Sequence, residues 1–169
     1  MTRTRPSRAF LVAVGLLVLA AGLVTAVGAT TSPVLVVTDA DTGDVLIEAP
    51  VEDGTTVTLE YMHSVEKTTV KDVYVVDGDR LRMTRMEFSS FGWGLPAREE
   101  IDGHTDDGDF LITFENRTYD RIGVVPGRVA GHTLQVGDTR YDLVERSNAS
   151  AVELSIERDR PLRDLFEYT

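Results

Sequence analysis

The chain has no cysteine, only two lysines (Lys67 and Lys71), only three histidines (His63, His104 and His132), and no acidic residue in its first 30 positions. Without cysteine there is no disulfide staple, no thiol nucleophile and no thiolate metal site. The histidines are far apart in sequence and show none of the close pairing of a zinc motif, so no metal site and no cofactor is expected. No internal repeat or low-complexity tract interrupts the chain.

What is present at the N-terminus is positive and then apolar. Arg3, Arg5 and Arg8 precede Ala9 to Ala29, a run of 21 residues without a charge. That length spans a bilayer as one helix, and the preceding arginines favour a cytoplasmic N-terminus. The expected organisation is a basic cytoplasmic segment at 1–8, a transmembrane anchor at 9–29 and an extracytoplasmic domain at 30–169. A cleaved signal peptide is the alternative, because Val27-Gly28-Ala29 offers small residues for cleavage; the domain is then secreted. The run is longer than an ordinary secretory core, which favours a retained single-pass anchor in the cell membrane.

All 28 acidic residues follow that run, against 14 of the 17 basic ones. Nucleic acid and anionic lipid are polyanions that such a surface repels. Many solvated carboxylates with few lysines suit a halophilic protein, in concentrated salt that screens their repulsion. Two sequons, Asn116-Arg117-Thr118 and Asn148-Ala149-Ser150, are candidate glycosylation sites for an exported domain.

The exported part reads as one all-β domain, an antiparallel sandwich or barrel. Strands are expected at Val34–Thr38, Asp44–Glu48, Thr55–Ser64, Thr69–Val76, Arg80–Phe88, Asp109–Glu115, Thr133–Val136, Arg140–Glu145 and Ala151–Arg158. Asp41-Thr42-Gly43, Asp77-Gly78-Asp79 and Gly137-Asp138 have the residues of tight hairpins. Alternation puts Val152, Leu154 and Ile156 on one face, and Val57, Leu59, Tyr61 and His63 on another. Arg160-Pro161-Leu162 is expected to open a short C-terminal helix that docks Leu162, Leu165 and Phe166.

Two blocks carry the candidate chemistry. Tyr61-Met62-His63-Ser64-Val65-Glu66-Lys67 sets imidazole, hydroxyl, carboxylate and amine within a few residues. For a hydrolase, His63 would work with a carboxylate from Glu66, Asp72 or Glu87, but strand parity sends Ser64 to the face opposite His63 and weakens that reading. A half-buried His63 bonded to a carboxylate or carbonyl is favoured. Phe88-Ser89-Ser90-Phe91-Gly92-Trp93-Gly94-Leu95-Pro96 is an aromatic and glycine corner, serving either geometry or recognition. Asp39 to Asp44 lacks the ligand order of an EF-hand and reads as a hairpin turn; Asp102 to Asp109 reads as a solvated loop.

These two blocks, together with Asp72 before Val73-Tyr74 and the late Arg160-Pro161-Leu162, resemble an uncharacterised domain-of-unknown-function family. The resemblance spans about residues 55–165. Its members are small exported or membrane-anchored proteins often encoded beside the large membrane subunit of TRAP-type solute transporters of the TAXI subclass. His63, Ser64, Val65, Glu66, Ser90, Gly92, Gly94, Leu95 and Pro96 match the pattern, whereas Asp72 stands where glutamate is usual and Trp93 where a small residue is usual. The resemblance implies association with transport, and with the anchor and the export it leads to the expectation of a non-enzymatic transporter accessory that contacts the membrane subunit or the solute-binding protein. Its recognition surface would comprise His63, Ser64, Glu66, Ser89, Ser90, Phe91, Gly92, Trp93, Gly94 and Pro96. The alternatives are the hydrolase and a small-ligand or metal-binding module.

Overall fold

The computed structural model describes residues 32–63, 66–90 and 101–158. Eleven strands and one short helix follow in order: β1 (Val34–Asp39), β2 (Val45–Pro50), β3 (Thr56–Met62), β4 (Thr69–Asp77), β5 (Arg80–Phe88), β6 (Gly103–His104), β7 (Phe110–Tyr119), β8 (Arg121–Val124), β9 (Thr133–Val136), β10 (Thr139–Asp142), α1 (Leu143–Arg146) and β11 (Val152–Glu157). They form a four-stranded sheet, β2-β1-β11-β8, and a seven-stranded sheet, β10-β9-β3-β4-β5-β7-β6. All pairings among the described residues are antiparallel.

Period-two burial explains why the sheets face each other. Leu35 and Val37 on β1, Ile47 and Ala49 on β2, and Val152, Leu154 and Ile156 on β11 are buried from one side. Val57 and Leu59 on β3, Val70, Tyr74 and Val76 on β4, and Ile112 and Phe114 on β7 close the same core from the other. A sheet with one apolar face must cover it, and the second sheet does so. The result is a sandwich.

The three expected hairpins form. Gly78 and Gly137 take φ of 67° and 54° in the tight β4–β5 and β9–β10 turns, where an L side chain would be strained. Thr84 is the irregular position of β5. The register shifts at Val73/Tyr74 on one side and at Met83/Arg85 on the other, and the Thr84 hydroxyl donates to the Val73 carbonyl at 3.1 Å.

Four expectations differ from the structure, the first being that β7 runs past its expected end at Glu115 to Tyr119. The strand expected at Arg140–Glu145 stops at Asp142, whose side chain accepts the Glu145 N–H at 3.0 Å and caps α1, while Leu143 turns into the core at 1 % exposure. β3 ends at Met62, so His63 belongs to a turn rather than to the alternating face. Strands β6 and β8 were absent from the expected set; both are short, and β8 carries Gly123. The expected C-terminal helix lies outside the described residues, as does the predicted membrane span. Among the described residues no helix is long and apolar enough to cross a membrane.

After α1, Asn148 and Ala149 both adopt left-handed backbone, with φ of 51° and 65°. That conformation is strained for an L residue, and alanine has no polar side chain to compensate. Ala149→Gly should therefore stabilise the domain by roughly 0.5–1 kcal/mol, less any entropy glycine gains when unfolded. Urea unfolding of the two proteins checks it; a midpoint unchanged or lowered would refute the strain.

Candidate functional site

Register brings Tyr61 to His63 and Phe88 to Ser90, the described parts of the two sequence blocks, to one end of the seven-stranded sheet. Tyr61 lies opposite Val70, Val70 opposite Phe88, Phe88 opposite Phe110, and Phe110 opposite His104. On the other side of β3, Leu59 pairs with Leu134 and Glu60 with Thr133, which brings His132 level with Tyr61. The rings meet in two groups along this row. Tyr61 stacks on His132 at 5.1 Å and 13°, Phe88 meets Phe110 at 5.6 Å, and His104 meets Phe110 at 5.0 Å.

Beneath this row lies Asp72, 8 % exposed, on the core face of β4. It is paired across the sheet with Leu59 and Met86, so its surroundings are largely apolar. The Tyr61 hydroxyl hydrogen-bonds its carboxyl, while Oδ1 has no partner among the described residues. Burial pushes the Asp72 carboxyl up to about 6 from an ordinary 3.8, and the bond from Tyr61 opposes that only in part. Burial also holds the Tyr61 and Tyr74 phenols well above their usual range, so both stay protonated donors.

Two histidines tie down loops at this end by the same bond. His63 Nδ1 accepts the Glu66 N–H at 3.2 Å, in a turn closed by His63 N–H to the Thr68 carbonyl at 2.7 Å. His132 Nδ1 accepts the Gly127 N–H at 3.2 Å, and burial lowers its proton affinity. The loop before His132 is also joined to β3, since Met62 N–H donates to the Ala130 carbonyl at 2.8 Å. An imidazole that accepts through Nδ1 carries its proton on Nε2.

The carboxylates named for a hydrolase are separated. Glu66 meets His63 through its backbone, and its side chain is exposed. Asp72 faces the core with Tyr61. Glu87 pairs with Lys71 on the opposite face, bonded to Lys71 at 3.7 Å and Arg85 at 2.6 Å. Ser89 and Ser90 leave β5 at the aromatic end, beside Phe88. Ser64, Phe91, Gly92, Trp93, Gly94 and Pro96 lie outside the described residues. No group of three or more His, Asp or Glu among the described residues could hold a metal ion.

An open recess of about 310 Å³ occurs elsewhere, lined by Ser32, Pro50, Val51, Glu52 and Thr55. It adjoins the start of β3, at the opposite end of that strand from His63, and contains no imidazole. The two sequons differ in setting. Asn116 lies in the part of β7 that passes Thr84, and Asn148 sits exposed after α1 with its Oδ1 accepting from Arg128 Nη2 at 2.9 Å.

Sequence reasoning named Tyr61, Tyr74 and His132 but did not join them. The available signal was the continuing β9–β3 register, which needs the pairing of strands that are far apart in the chain.

This arrangement defines an antiparallel β-sandwich with a histidine and aromatic row at one end and no assembled catalytic set among the described residues. Residues 57–143 match the family model described as Domain of unknown function (DUF1850), and the chain belongs to that family. The match is narrower than the expected span of 55–165; it takes in nearly all of the seven-stranded sheet and β8, and leaves out β1, β2 and β11. No curated protein and no solved structure matches the chain.

Asp72 generates a pH prediction. The folded state holds the Asp72 proton more tightly than the unfolded chain, so this group's stabilising contribution is complete below pH ~4 and is lost as pH rises through about 6. Asp72→Asn removes that titration, so the stability of the variant minus that of the wild type should grow between pH 4 and 7 by up to about 3 kcal/mol. Chemical denaturation of both proteins across this range measures it. A difference that stays flat, or shrinks with rising pH, would show that the carboxyl is not raised.

Proposed function

We propose that this domain is a non-catalytic recognition module, an accessory of a TRAP-type solute transporter of the TAXI subclass that binds the membrane subunit or the solute-binding protein. The end of the seven-stranded sheet carrying Tyr61 to His63, Phe88 to Ser90, and the loop from Val125 to His132 is its binding surface. One observation carries the reading: exposed apolar side chains concentrate on the connections at this end. Val125 and Val129 are 72 % and 69 % exposed, and Met62 is 42 % exposed beside them, joined through the bond to Ala130. Such side chains held out of the core suit a protein contact.

The hydrolase reading has less support, because Glu66, Asp72 and Glu87 have separate partners and orientations around His63. The choice of partner rests on the gene neighbourhood that the resemblance implies. An anchored, extracytoplasmic placement, implied by the apolar segment at 9–29, would put the surface where such a transporter can be met.

Affinity capture from gently solubilised membranes, with the transporter co-expressed, tests the proposal. The wild-type chain should recover the membrane subunit or the solute-binding protein. The double variant Val125→Asp, Val129→Asp should lower recovery at least about tenfold while its melting temperature stays close to wild type, since both side chains are exposed. Recovery of no transporter component by the wild type, or equal recovery by the variant, would overturn it.

A further inference from the structure

The loop bearing Val125 and Val129 is rigidly held. Pro126 is buried, Gly131 N–H donates to the Gly127 carbonyl at 2.9 Å, Ala130 is tied to Met62, and Arg128 Nη2 reaches Asn148 Oδ1 at 2.9 Å. A further tie is the Gly127 N–H donated to His132 Nδ1. It differs from the others in chemistry, because a ring nitrogen accepts only while it is unprotonated. A second proton would turn Nδ1 into a donor facing another donor.

We propose that His132 is a pH-sensitive latch on the 125–131 loop: the neutral imidazole holds the loop in its binding shape, and protonation releases it. The proposal rests on the recognition role assigned to this end of the sheet, and it adds the condition under which the surface is assembled. The ring is placed for this task. It is half-buried, it stacks on Tyr61, and its own carbonyl accepts the Leu143 N–H at 3.1 Å, so its backbone stays fixed when the ring changes state.

The charged and titratable groups on the neighbouring elements do not neutralise an imidazolium directly. Glu60 on β3 is paired with Arg140 at 2.6 Å, Arg128 on the loop with Asn148, and Asp142 with the Glu145 N–H. Tyr61 presents its ring face, and its hydroxyl is taken by Asp72 on β4. None of these groups hydrogen-bonds the His132 ring. Burial therefore dominates and keeps the ring neutral until the pH falls below its ordinary value of 6.5. The latch is closed at neutral pH and opens only in acid below that value.

Amide hydrogen exchange of the ¹⁵N-labelled full chain, followed by NMR from pH 7.5 to 5.0 in high salt and corrected for intrinsic rates, tests the latch without any partner. Protection of the Gly127 amide should fall about tenfold across this range, while Leu154 in β11 stays unchanged. His132→Phe keeps an aromatic ring against Tyr61 but removes the acceptor, so its Gly127 amide should be weakly protected at every pH. Asp72→Asn should retain the wild-type response, which separates the latch from the neighbouring carboxyl. Gly127 protection that is flat with pH in the wild type, unchanged in His132→Phe, or made flat by Asp72→Asn would overturn the proposal. Because exchange is read on the chain without a partner, a working latch in a protein that captures no transporter would sink the functional reading alone.

Discussion

Strand β3 is hydrogen-bonded on both edges, and its register against β9 and β4 is the constraint on which the rest of the structure depends. With Leu59 opposite both Leu134 and Asp72, Tyr61 must fall opposite Val70 and level with His132. A slip of one residue would turn Glu60 into the core and Tyr61 toward solvent, so the apolar pattern enforces this alignment. The aromatic row, the Tyr61–Asp72 bond and the attachment of the 125–131 loop all follow from that single pairing. Each is a consequence of where β3 sits, not of its own local sequence.

The same register imposes a conflict. A carboxyl group between two apolar sheets is costly when ionised, and Tyr61 satisfies only part of it. A wholly apolar residue at position 72 would pack without that penalty. The fold instead keeps a titrating group beneath a surface whose 125–131 loop is joined to the His132 imidazole. Burial acts in opposite directions on the two kinds of group, raising the affinity of Asp72 for a proton and lowering that of His132. The charge state of this end is thus set by the solvent exclusion that the sandwich creates, which makes it a property of packing rather than of residue identity.

Much of the architecture was legible before any coordinates. Val152, Leu154 and Ile156 alternate cleanly and form β11, and the Gly78 and Gly137 turns sit where their residues announce them, because both signals are local. The failures have local causes too. Leu143-Val144-Glu145-Arg146 reads equally well as a strand, and only the cap by Asp142 and the burial of Leu143 make it helical. His63 was assigned a strand face from parity, but the chain leaves β3 at Met62 and closes a turn with Lys67 at φ 58°, where alternation no longer applies. β8 is too short to show a period.

By itself the sequence determined an antiparallel β-domain, its hairpins, its acidic surface and the two blocks in which candidate chemistry resides. Tertiary structure decided which side chains are neighbours: Tyr61 with His132, Asp72 with Tyr61, Glu87 with Lys71 and Arg85. The reason is the nature of the strand period. Alternation assigns a residue to a face, whereas its partner on that face depends on which strand pairs beside it, and β9 reaches β3 from far along the chain. Proton affinities are further removed still, since desolvation exists only once both sheets have closed over the carboxyl and the imidazole.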